Sequence, residues 1–87
     1  MSTAAAMPDL QMRRLRWRCR RGMKELDVLL ERFARTHLAG APLAERRALE
    51  ELLALPDPVL AGYLLGGTVP PQAVVAQLVA HIRAYVD

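Results

Sequence analysis

An all-α fold, a compact five-helix bundle forming a single domain, is predicted by three features of the sequence. The 87-residue chain is 53% hydrophobic, much of that share Ala and Leu, while Ile, Phe, Tyr and Trp are scarce. Joined to Glu and Arg, this is helix-forming material. Apolar residues recur at spacings of three and four, and breaks at Gly22, Ala39–Pro42, Pro56–Pro58 and Gly66–Pro71 cut the pattern into five short segments. A chain of this length supports one modest core.

Residues 1–8 are small and unpatterned and are expected to form a flexible tail, leaving 9–87 as the helical domain. The first helix opens at Pro8–Asp9, with Asp9 as a capping residue, and runs to Arg20. Leu10, Leu15, Trp17 and Cys19 give it a narrow apolar stripe. Gly22 interrupts the pattern, because Gly inside a helix costs about 1 kcal/mol relative to Ala. The second helix spans Met23–Leu38, with Met23, Leu26, Leu30, Phe33 and His37 on one face. Gly40 is expected to stop it in a left-handed conformation, and Pro42 to start the next element. The third helix covers Leu43–Leu55, with Leu49, Leu52 and Leu53 inward and Glu45, Arg46, Glu50 and Glu51 toward water. Asp57 before Pro58 resembles an N-cap followed by a first-turn proline. The short fourth helix carries Val59, Leu60, Tyr63 and Leu64 and ends at Gly66-Gly67. Pro70-Pro71 introduces the fifth, whose face is Val74, Val75, Leu78, Val79 and Ile82.

Composition narrows the function classes. A single cysteine, Cys19, excludes an internal disulfide and a cysteine-based zinc site within one chain. No apolar run reaches the roughly 20 residues of a membrane span, and no basic segment precedes an apolar stretch as in a secretory signal. The net charge is +3, but its distribution says more. Arg13, Arg14, Arg16, Arg18, Arg20, Arg21 and Lys24 are seven of the twelve basic residues, and beyond Lys24 five basic residues face eight acidic ones. A basic N-terminal end on a slightly acidic body suits a localised anionic partner surface.

Enzymatic signatures are absent: the sequence has no phosphate-binding glycine loop, no nucleophile elbow and no H-E-x-x-H helix. His37 and His81 fall far apart on different predicted helices and read as surface or boundary residues, so no metal site and no resident cofactor are expected. A thin bundle has little room for a pocket of about 300 Å³ or more. The informative segment is Arg20-Arg21-Gly22-Met23-Lys24-Glu25. Arg21 offers a planar fork of donors for a carboxylate or phosphate. Gly22 admits either a positive φ or the close approach of another backbone. Glu25 can pair with a neighbouring arginine. A purely structural reading stands beside this one, with Gly22 as a turn and Glu25 accepting helix N–H groups as half of a capping box. The arginines of the first helix also admit a nucleic-acid-binding reading, with Trp17 stacking on a base. The non-basic body and the expected packing of Trp17 against the bundle speak against it.

Trp17-Arg18-Cys19-Arg20-Arg21-Gly22-Met23-Lys24-Glu25-Leu26-Asp27 resembles the N-terminal signature of the SdhE/YgfY family, whose core is Arg-Gly-x-x-Glu followed by Leu-Asp. Leu52-Leu53-Ala54-Leu55-Pro56-Asp57-Pro58-Val59-Leu60 is similar to the family's second landmark, an aspartate-containing break before the fourth helix. Tyr63 stands where a tryptophan is frequent, and the usual acidic pair at the break is reduced to Asp57. The resemblance implies a non-catalytic assembly chaperone that binds the flavoprotein subunit of succinate dehydrogenase, and of related fumarate reductase, and promotes covalent attachment of FAD to that client. Any contact with FAD is then expected only in the client complex. It implies Arg21, Gly22 and Glu25 as the client-binding motif, with Arg14, Arg16, Arg18 and Arg20 as a supporting basic surface. A cytoplasmic monomer is expected. The alternative is a small basic regulatory protein that binds nucleic acid or acts as an antitoxin, a label some family members carry.

Overall fold

The computed structural model describes residues 9–84, and its regular structure there is helical throughout. The elements are α1 (Asp9–Arg18), α2 (Lys24–His37), a 3-10 turn (Leu38–Gly40), α3 (Leu43–Leu53), α4 (Asp57–Leu64) and α5 (Ala73–Ala84). The expected five-helix architecture is therefore present. The expected tail lies outside the described residues. Helix α5 is central: it packs on α2, α3 and α4, while α1 packs on α2. Buried leucines and Phe33 from α2 meet Leu49 and Leu52 of α3, Leu60 of α4, and Leu78 and Ile82 of α5 in one core. Each fully buried side chain of this size contributes about 1.5–3 kcal/mol.

Local chemistry explains where the boundaries depart from those predicted. Helix α1 stops at Arg18, short of Arg20: the Arg20 N–H bonds the Trp17 carbonyl three residues back, tightening the last turn, and the Arg21 N–H is taken by a side chain of α2. Gly40 does not take a left-handed conformation; Gly22 and Gly67 do, at φ +84° and +83°. The second helix instead leaves through the 3-10 turn closed by the Ala41 N–H on the Leu38 carbonyl, which buries both Leu38 and Ala41. Pro56, not Asp57, flanks the start of α4, and Asp57 is its first helical residue. Gly67 supplies the stop after α4, letting the Thr68 N–H reach the Gly62 carbonyl at 3.0 Å.

Some faces also differ. Trp17 is 71% exposed rather than packed, because Leu15 and Cys19, four residues apart, occupy the side of α1 against the body. A residue midway between them points to the opposite side at about 100° per residue. Met23 and Val74 are exposed as well. Val74 lies one residue, about 100°, from Val75 and falls at the edge of the α5 stripe. Arg46 is buried rather than facing water, since it lies three and seven residues before Leu49 and Leu53 on the inward side of α3.

Cys19 is fully buried at the end of α1. Burial, and next the carboxylate of Glu31, push its thiol up from 9.0 to about 11. With the folded value above the unfolded one, its contribution to stability is full below 9.0 and fades as pH rises toward about 11. The native chain is therefore expected to resist thiol-specific alkylation at neutral pH and to react with one equivalent in denaturant. Urea midpoints should fall across that alkaline interval more in the wild type than in Cys19→Ala. Rapid alkylation of the folded chain would contradict the buried placement.

Candidate functional site

The segment singled out in the sequence forms the turn between α1 and α2. Asp27, in the first turn of α2, holds it from the helix side. Its Oδ1 accepts the Arg21 N–H at 2.7 Å and its Oδ2 the Gly22 N–H at 3.3 Å. The capping role read onto Glu25 thus belongs to Asp27, two residues further in, because side chains in a helix lean toward its N-terminus and this one reaches back to the turn. Sequence reasoning missed Asp27. The signal was its place in the first turn, where a carboxylate meets unsatisfied N–H groups. Between these bonds Gly22 sits at φ +84°, and a Cβ built there meets nothing within 4 Å. Glycine is required for the backbone angle, and the space above it stays open.

The Arg21 side chain turns inward. Only 15% exposed, its guanidinium lies 2.8 Å from Asp57 Oδ1 through Nε. Its Nη1 donates to the Leu53 carbonyl at 2.8 Å and the Arg18 carbonyl at 3.3 Å, and its Nη2 to the Leu55 carbonyl at 2.8 Å. The Leu53 carbonyl is the last of α3 and that of Leu55 lies two residues beyond it, where backbone acceptors lack helical partners. A cation there also complements the helix dipole. One planar fork therefore closes α3, anchors the first residue of α4 and fixes the turn before α2. The two sequence landmarks, the glycine motif and the aspartate break, are in direct contact. Glu25 is exposed in the first turn of α2, so Gly22 and Glu25 face outward on a turn whose backbone is tied from two sides.

Beside this turn, α1 and α2 frame an open groove of about 340 Å³ lined by Arg13, Arg16, Trp17, Arg20, Glu31 and Arg35. The volume exceeds the expectation for so thin a bundle because the space is a surface groove and not a cavity inside the core. Arg20 stacks over the Trp17 ring at 5.9 Å and pairs with Glu31 at 3.4 Å. Both partners of that pair are well exposed, so it adds little to stability. Arg14 and Arg18 are exposed on α1 outside the groove lining. The supporting arginines thus divide: Arg16 and Arg20 line the groove with an exposed aromatic, while Arg14 and Arg18 broaden the basic surface. Among the described residues these features offer recognition of an anionic or acidic surface. No nucleophile stands beside a general base in them.

Deleting the guanidinium leaves part-buried carbonyls and a carboxylate without their donor, each worth about 1–3 kcal/mol. Arg21→Ala is expected to cost about 3 kcal/mol by urea denaturation. Arg21→Lys should recover less than half, since a point-like ammonium cannot span the same acceptors. A loss in Arg21→Ala indistinguishable from a surface substitution would show that the network does not bear on stability.

The family model described as "Flavinator of succinate dehydrogenase" matches residues 13–86. Several proteins named FAD assembly factor SdhE are similar over most of the chain. That of Coxiella burnetii is 38% identical over 74 residues, covering 85% of this chain and 90% of its own length. That of Methylococcus capsulatus is 42% identical over 76 residues, covering 87% and 92%. That of Haemophilus ducreyi is 30% identical over 81 residues, covering 93% and 99%. No solved structure matches the chain significantly. The match takes in the turn, its arginine anchor and all the helices from Arg13 onward, and the chain belongs to the flavinator of succinate dehydrogenase family.

Proposed function

We propose that this chain binds the flavoprotein subunit of succinate dehydrogenase, or of related fumarate reductase, and promotes covalent attachment of FAD to it without a catalytic group of its own. The observation that carries this reading is the near full-length similarity to proteins named FAD assembly factor SdhE. The geometry supports it. Gly22 and Glu25 stand outward on a braced turn, suited to close docking of another backbone, and Arg21 acts mainly by holding that turn in place. An exposed Trp17 flanked by arginines has the composition of an interface anchor. Among the described residues no helix is long and apolar enough to cross a membrane. The flavin bond forms in the client, in the cytoplasm, and the factor acts as a monomer that orders or holds the client's domains.

The exposed Trp17 within a basic groove also favours a second reading, nucleic-acid binding, because base stacking needs an accessible aromatic. The acid-leaning body beyond Lys24 favours the protein client. A salt-sensitive shift of labelled RNA or DNA at low micromolar chain would support the second reading.

In-gel flavin fluorescence of the denatured flavoprotein, from cells lacking this gene and cells complemented with it, tests the function. Covalent flavin should be lost in the deletion and restored by the wild type. Glu25→Ala should fold normally, being exposed, yet restore flavin poorly. Gly22→Arg should fail too, with an added stability loss of about 1–3 kcal/mol from the left-handed φ. Undiminished covalent flavin in the deletion strain would overturn the proposal. Association of the chain with purified flavoprotein subunit should also slow several-fold from low to high salt if Arg14, Arg16 and Arg18 steer the encounter. Rates that stay flat with salt would remove that role.

A further inference from the structure

His37 and His81, read from the sequence as remote from one another, meet at the end of the bundle away from Gly22. Helix α2 separates the two places by roughly 20 Å at 1.5 Å per residue. The imidazole centroids are 4.4 Å apart, and Glu45, in the first turn of α3, reaches both rings. His37 Nε2 stands 3.5 Å from Glu45 Oε1, and His81 Nδ1 3.0 Å from Glu45 Oε2. Each residue comes from a different helix: the last residue of α2, the first turn of α3 and the last turn of α5. The sequence carried part of the signal. His37 continues the α2 stripe four residues after Phe33, and Glu45 precedes Leu49 and Leu52 by four and seven, on the inward side of α3 rather than toward water.

We propose that His37, Glu45 and His81 form a binding site for one divalent transition-metal ion of the Zn²⁺ type. The inference is independent of the flavinylation reading. Two imidazoles and one carboxylate are a recognised zinc donor set that leaves a fourth position open. With metal–ligand distances of about 2.0–2.2 Å, tetrahedral donors stand about 3.4 Å apart. The candidate donor atoms here all lie within 4.8 Å of one another, so small side-chain rotations close them on a common centre. Glu45 Oε1 is buried and, apart from His37 Nε2 at 3.5 Å, has no hydrogen-bond partner among the described residues, a carboxylate oxygen shielded from water and suited to a cation. The rings are backed by Phe33, whose centroid lies 5.4 Å from His37 and 5.5 Å from His81. This apolar wall limits their rotation and keeps water from one side. On the other side an open cleft of about 400 Å³ reaches His37 and Glu45, passing Pro42, Gln77 and Leu78. It gives an ion a route in and room for a water in the fourth position. Bound there, the metal ties the ends of α2 and α5 to the start of α3, clamping the connection that the 3-10 turn makes.

The test uses the untagged, chelator-treated chain. Isothermal titration with ZnCl₂ is expected to show one saturable site, with the Tm climbing as zinc is added. Co²⁺ should give the intense visible bands of a tetrahedral N,O site. His37→Ala, His81→Gln and Glu45→Gln, each confirmed as helical by circular dichroism, should bind Zn²⁺ at least about tenfold more weakly, with the cobalt bands lost. Folded wild type that takes up no Zn²⁺ overturns the site. So does Zn²⁺ binding that persists unchanged in the folded variants. The wild-type titration decides the matter even where a variant fails to fold.

Discussion

The guanidinium of Arg21 joins three segments: the turn after α1, the carbonyls at and just beyond the end of α3, and the carboxylate opening α4. Helix termini leave backbone groups without partners, and in a chain of 87 residues several termini crowd into a small volume. A rigid fork that serves three carbonyls and a carboxylate at once resolves this with a single side chain. A lysine or a hydrophobic residue could not. That one group ties the end of α3 and the start of α4 to the turn between α1 and α2.

This arrangement divides the labour within the glycine motif. Arg21 looks in, Gly22 supplies a backbone angle open to glycine alone at little cost, and Glu25 looks out. Asp27 completes the turn from below. Under the proposed function this pre-ordering favours docking, because ordering the turn on contact would oppose binding. The basic groove beside it is less constrained. Its arginines are exposed and its ion pair with Glu31 is weak, which suits long-range attraction better than fixed recognition.

The opposite end of the bundle is organised on different lines. There the tie between α2, α3 and α5 runs through two imidazoles and a carboxylate backed by Phe33. The central helix α5 is thus held to the outer helices by apolar packing along its length and by polar contacts near its C-terminal end. The two ends of α2 carry separate polar networks, one built around an arginine and one around histidines, with the leucine core between them.

The sequence by itself determined the helical class, the five segments, most of the core and the turn at Gly22. Each of these rests on local periodicity, on a residue's own backbone preference, or on both. The resemblance carried by Arg21-Gly22-Met23-Lys24-Glu25 and by the aspartate break led to the family. Only the tertiary structure decided which partners the polar side chains take. Arg21 bonds groups more than thirty residues away, and Glu45 meets a histidine thirty-six residues on. Trp17 is left outside because Leu15 and Cys19 fill the side of α1 that packs against the body. Burial follows from short-range spacing, whereas a hydrogen bond or a ligand cluster depends on how whole helices cross, which no local pattern specifies.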